Sequence, residues 1–121
     1  MSLNWERFVV AEASDGAVVA CGQIKPHRDG SQELASLTVT EAWRGRGLAR
    51  AIIEHLVAGH EGELYLMCVE RLGPFYEKFG FVAIKDLKDM PRYFRLASAV
   101  VGVAAPIIQH GQHLLIMKLA R

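Results

Sequence analysis

The sequence predicts an α/β (α+β) fold, a single domain over residues 1–121 built on a mixed β-sheet with one crossover helix. Three observations carry this. Leu48, Ile52 and Leu56 recur every four residues, the spacing of one helical face. That stripe stands between two strand-like runs, the arrangement of a parallel βαβ unit. And a chain of 121 residues is long enough for one core but too short for two.

The elements follow in order. Trp5 to Glu12 holds Phe8-Val9-Val10-Ala11 and reads as a strand, and Ser14-Asp15-Gly16 supplies turn chemistry. Ala17 to Lys25 is a second strand, so the two form a hairpin. Pro26 to Ser31, with Asp29-Gly30, is another turn. Gln32 to Thr40 is a third strand with Leu37 and Val39 on one face. The helix spans about Gly47 to Ala58, with Gly59 placed to end it. Leu64 to Val69 is a nearly unbroken apolar run, which suits a central strand covered on both faces. Leu72 to Phe79 reads as a short helix and Phe81 to Leu87 as a strand. Pro91 opens a further helix to Ala105, with Tyr93, Leu96, Ala97, Val100, Val101 and Ala104 as its apolar stripe. That stripe packs on the sheet or on a second copy of the chain, a homodimer. His113 to Leu119 is the last strand.

Composition narrows the function classes. The chain is 51% hydrophobic and 22% charged, ordinary for a globular domain. A formal net charge of +1 gives no field to recruit nucleic acid or an anionic membrane surface. The most apolar stretch, Leu96 to Ile108, falls short of the roughly 18 residues that cross a bilayer. Cys21 and Cys68 lack metal-ligand spacing and read as reduced thiols of a cytoplasmic protein. His110 and His113 lie near a strand start with no third ligand, so no metal site is expected.

The segment Arg44-Gly45-Arg46-Gly47-Leu48-Ala49 joins the third strand to the helix. Two glycines let the backbone turn tightly and approach a ligand. The unsatisfied N–H groups of the helix start, with the helix dipole, make an anion site. Arg44, Arg46 and Arg50 add charge, and a pyrophosphate is the natural guest. A Walker loop would need Gly-Lys-Ser/Thr, and a dinucleotide fingerprint would need glycine where Arg50 stands. Neither fits.

Leu37-Thr38-Val39 followed by Trp43-Arg44-Gly45-Arg46-Gly47-Leu48-Ala49 resembles motif A of the GNAT family of N-acetyltransferases. Pro74-Phe75-Tyr76-Glu77-Lys78-Phe79-Gly80-Phe81 resembles motif B, and Leu66 through Phe81 is especially similar to the vertebrate aralkylamine N-acetyltransferase. The two motifs cover about a third of the chain, in the family's order and spacing. The resemblance implies acetyl-coenzyme A as cosubstrate and an amine acceptor. It implies that Leu37, Thr38 and Val39 bind the pantetheine arm, and that Arg44, Gly45, Arg46, Gly47, Leu48, Ala49 and Arg50 bind the pyrophosphate. It further implies a thioester wedge between the third strand and the run Leu64 to Val69. The family normally places a strand and two helices before the first hairpin. Here the hairpin comes first, so the expectation is either an N-terminally truncated domain or a natural minimal form.

Acetyl transfer needs a neutral amine, a polarised carbonyl and a proton for the departing thiolate. Tyr76 matches the family's general acid. A phenol with pKa near 10 stays protonated at neutral pH and can serve a thiolate of pKa about 8.5. Most primary amines are protonated at neutral pH, so a base must act. Glu33 is the first candidate: it falls where the aralkylamine enzyme carries a histidine associated with proton removal. The competing class is a non-catalytic coenzyme A-binding or dimerisation module.

Overall fold

The computed structural model describes residues 7–99 and 113–120. Its strands are β1 (Phe8–Glu12), β2 (Val18–Pro26), β3 (Gln32–Val39), β4 (Tyr65–Val69), β5 (Phe81–Ala83) and β6 (Leu114–Leu119). Its helices are α1 (Leu48–Ala58), α2 (Gly73–Glu77) and α3 over residues 92–99. The strands lie in one six-stranded mixed sheet ordered β1-β2-β3-β4-β6-β5. Two compact units divide the chain, one of residues 1–25 and 34–62, the other of residues 26–33 and 63–121.

In the first unit β1 and β2 form the antiparallel hairpin expected from Ser14-Asp15-Gly16, with a register shift between Ala11 and Glu12. Asp15 closes the turn by accepting the Ala17 N–H at 2.9 Å, the local capture that makes aspartate a turn residue. Helix α1 buries Ile52, Ile53 and Leu56. Its approach is tight at Gly22, where a Cβ would lie 2.8 Å from Ile52 Cγ2 and 3.4 Å from Leu56 Cδ1. Glycine at that point of β2 lets the helix sit down on the strand.

In the second unit β4 runs antiparallel to β6 through five registered pairs, Tyr65 with Lys118 to Val69 with Leu114. Glu33 at the start of β3 pairs in parallel with Tyr65. The strand–helix–strand order therefore closes as the parallel crossover the sequence predicts. Strand β5 pairs with β6 from Phe81–Leu119 to Ala83–Met117. The core holds Leu64, Leu66, Phe81, Phe94, Ile116 and Met117, all nearly inaccessible.

Two elements differ from expectation. Strand β5 stops at Ala83 instead of reaching Leu87. The carboxylate of Asp86 accepts the Lys88 N–H at 3.1 Å and draws Leu87–Asp89 into a 3-10 turn. A side chain that captures nearby backbone donors competes with the sheet ladder. The helix after Pro91 is described over residues 92–99, and Val100, Val101 and Ala104 of the expected stripe lie outside the described residues. Within it the expected phase is wrong. Phe94 is fully buried while Leu96 is 57% exposed. Phe94 enters a cluster with Tyr65, Met90 and Ile116, and that cluster sets the helix's rotation.

Candidate active site

The residues expected to bind cofactor, Leu37 to Arg50, all belong to the first unit. Strand β3 carries a break in its extended backbone at Ser36, whose φ is 57°. A non-glycine residue in this region is held by its surroundings. Here Gln23 Nε2 donates to Ser36 Oγ at 2.9 Å, and the Cys21 thiol and the Thr38 hydroxyl both reach Ser36 O at 3.5 Å. Gln23 is itself buried at 7% exposure, so this anchor stands inside the unit. The kink immediately precedes Leu37, Thr38 and Val39.

The glycine loop follows. Gly45 and Gly47 have φ of 78° and 79°, a conformation glycine adopts at little cost. Gly47 is the N-cap of α1, and no side chain caps the helix. The first-turn N–H groups have no intrahelical acceptor by geometry. A Cβ at Gly45 or Gly47 would meet no heavy atom within 4 Å, so the space in front of this backbone is open. The loop and helix start thus leave backbone donors exposed at a helix N-terminus, a setting that favours an anion.

The arginines are less free than the sequence suggests. Arg44 Nε donates to Val39 O at 3.2 Å, which ties the loop back to β3 and occupies a carbonyl expected to face the pantetheine. The Arg46 guanidinium lies 4.6 Å from the centroid of Trp43, and Arg50 pairs with Glu54 at 2.7 Å across one helical turn. Trp43 beside the loop therefore supports Arg46. Leu48 and Ala49 are half-buried on the first turn of α1.

Tyr76 and Glu33 belong to the second unit. Tyr76 sits on α2 between Phe75 and Phe81, with ring centroids at 5.1 and 6.3 Å. Burial raises its phenol pKa above the ordinary value, and the nearby Cys68 adds to the rise. The phenol is thus protonated at neutral pH with margin. Its hydroxyl has no hydrogen-bond partner among the described residues. Cys68 is buried, and burial raises its own pKa, which keeps it a thiol.

Glu33 is not an exposed strand carboxylate. It is 7% exposed, and its Oε1 lies 2.7 Å from His27 Nε2. The imidazole stacks on Tyr93 with centroids 3.5 Å apart and planes 13° from parallel, and Phe94 meets it edge-on at 5.8 Å. Sequence reasoning missed His27. It lies in the turn between β2 and β3, and its partners Tyr93 and Phe94 come from α3. Asp29 of the same turn accepts the Tyr93 N–H at 2.8 Å as well as the Ser31 N–H and hydroxyl. Those bonds hold the Asp29 carboxyl at about 2, the Ser31 hydroxyl contributing most. His27, Arg28, Asp29, Arg92, Tyr93 and Leu96 line a cavity of about 520 Å³.

The model of the acetyltransferase (GNAT) domain family matches residues 4–83, well over half of the chain. The chain belongs to that family. Solved structures agree on the fold. The chain is similar to N-acetylglutamate synthase from Neisseria gonorrhoeae, solved with coenzyme A and N-acetyl-glutamate, at 19% identity and TM-score 0.68. It covers 95% of this chain and 26% of that one. Rv2747 from Mycobacterium tuberculosis, solved with coenzyme A, is 24% identical at TM-score 0.66 over 95% of this chain and 76% of its own. Escherichia coli ElaA is 17% identical at TM-score 0.65, over 93% and 67%. The chain thus spans about a quarter of the first of these proteins and larger shares of the other two. A comparison with curated proteins found no match. No described helix is long and apolar enough to cross a membrane, and the described residues hold no cluster suited to a metal ion.

Proposed function

We propose that the chain is an acetyl-coenzyme A-dependent N-acetyltransferase that acts on a primary amine of a small molecule or a protein. The observation that carries this is the uncapped start of α1 behind two left-handed glycines, with open space where any Cβ would stand. Acetyl-coenzyme A supplies the activated acyl group as a thioester. The N–H groups from Gly45 to Arg50 hold the pyrophosphate, and the kinked end of β3 at Leu37, Thr38 and Val39 aligns the pantetheine. The Glu33–His27 pair takes the proton from the acceptor ammonium, directly or through water. The amine nitrogen bonds to the acyl carbon, the carbon–sulfur bond breaks, Tyr76 gives its proton to the departing sulfur, and the nitrogen sheds its surplus proton to solvent to leave a neutral amide. Solvent then returns that proton to Tyr76. A cytoplasmic setting fits the two free thiols, Cys21 and Cys68.

A thermal-shift titration with acetyl-coenzyme A, followed by a thiol-release assay over an amine panel, tests this. Ligand at about 100 times Kd stabilises the native state by roughly 2.7 kcal/mol, on the order of 10 °C for a chain of this size. An unmoved melting curve refutes the binding. A shift without thiol release for any amine leaves a non-catalytic coenzyme A-binding module in its place.

A further inference from the structure

The cavity beside the His27–Glu33 pair has no assigned occupant. Two of its lining residues, Arg28 and Arg92, are exposed guanidiniums, and neither pairs with an acid among the described residues. The acids nearby are spent. Asp29 makes its three hydrogen bonds within the turn and to α3, and Glu33 is buried against His27. The rim therefore presents two unmatched positive charges against one engaged carboxylate. A guanidinium offers a planar fork that suits a carboxylate, and a partner of that shape meets both its charge and its geometry.

The rest of the lining is apolar. Leu96 is 57% exposed and faces away from the buried Phe94. Tyr93 offers a ring whose orientation is fixed by the stack on His27. A pocket of about 520 Å³ falls within the range of small-molecule sites. Its polar and apolar parts call for a guest with a carboxylate for the arginines and a hydrophobic body for Leu96 and Tyr93. Its contact with His27 puts the guest next to the proton-accepting pair, where an amine would lose its proton.

We propose that this cavity binds the acceptor, and that the acceptor is an α-amino acid with a hydrophobic side chain. The name acceptor rests on the transferase reading above; the binding itself does not, and it is tested without acetyl-coenzyme A. L-phenylalanine and phenethylamine share amine and ring and differ in the carboxylate. Their affinities for the full chain are measured by calorimetry, alongside that of coenzyme A as a separate readout. A charge-assisted hydrogen bond commonly separates such a pair by roughly 10- to 100-fold. L-phenylalanine is expected to bind tighter by that margin. In the double variant Arg28→Ala/Arg92→Ala the preference should vanish while coenzyme A affinity holds. Both arginines are exposed, so the variant folds; a coincident melting curve checks this. Equal binding of the two probes, no binding of either, or a preference that survives in the double variant overturns the inference. Loss of coenzyme A binding in the unmodified chain would instead strike the proposed function.

Discussion

Replacing Gly47 by valine separates a backbone cradle from an arginine clamp. Gly47 has φ of 79°, and a Cβ there touches nothing in the protein within 4 Å. The cost to the fold is therefore conformational alone. Holding a β-branched residue in the left-handed region costs about 1–3 kcal/mol, a part of the roughly 5–15 kcal/mol that keeps a domain folded. The cost to binding is larger. The valine methyls fill the space in front of the first-turn N–H groups. Losing two charge-assisted bonds at about 1.5–3 kcal/mol each weakens coenzyme A by roughly 10²–10⁴-fold. Arg46→Ala removes an exposed charge that stacks on Trp43, and exposed charges contribute about 0–1 kcal/mol. That is at most about a fivefold loss, and it shrinks further as salt rises. Calorimetry with coenzyme A at low and moderate salt reads both variants, and thermal melts confirm that each is folded. If Arg46→Ala loses more affinity than Gly47→Val, side-chain charge holds the phosphate and the cradle account is wrong.

Tyr76→Phe should lower turnover by about 10²–10⁴-fold and leave coenzyme A affinity unchanged, because the ring still packs on Phe75 and Phe81 and only the free hydroxyl goes. Equal turnover in stopped thiol-release assays would reassign Tyr76 to the core. Gly22→Ala places a Cβ 2.8 Å from Ile52 Cγ2, and the overpacking should cost about 1–3 kcal/mol in urea melts; a neutral substitution would mean that α1 is not seated as described. Asp29→Asn removes a carboxylate whose pKa is lowered from 3.8 to about 2 in the fold. A depressed carboxyl stabilises the fold above its unfolded pKa and loses that contribution as pH falls through its folded one. The gap in melting temperature between the two proteins should be constant above about pH 5 and close as pH falls toward about 2. A gap independent of pH would show that the Asp29 charge is not what ties the turn to α3.

The first unit was legible because its determinants are local. The α1 stripe, the Gly45 and Gly47 loop and the Ser14-Asp15-Gly16 turn each act within a few residues of themselves, and periodicity and turn chemistry report such short-range causes. The kink at Ser36 was not legible. Serine does not favour a φ of 57°, and the position is imposed by Gln23 and Cys21 from the neighbouring strand. The early end of β5 had a readable cause in Asp86, but an aspartate at the end of an apolar run marks a stop only once its donor, Lys88 N–H, is known.

The phase of α3 and the role of His27 were hidden for the same physical reason. The α3 segment offers apolar residues at 93, 94, 96 and 97, which support two helical faces that differ by one position. Which face turns inward is decided by what waits there. The Asp29 carboxylate fixes the Tyr93 N–H from 64 residues away, and Tyr65 and Ile116 supply the seat for Phe94. With Phe94 taken inward, Leu96 must turn outward and Tyr93 must lie over His27. The same contacts that spoil the sequence-predicted stripe therefore build the cavity wall. Two of its charged liners, Arg28 and Arg92, then follow from chain position alone, since each is the immediate neighbour of a residue in the His27–Tyr93 stack. A stripe read as packing surface becomes, through a shift of one position in phase, a surface left open to solvent at Leu96.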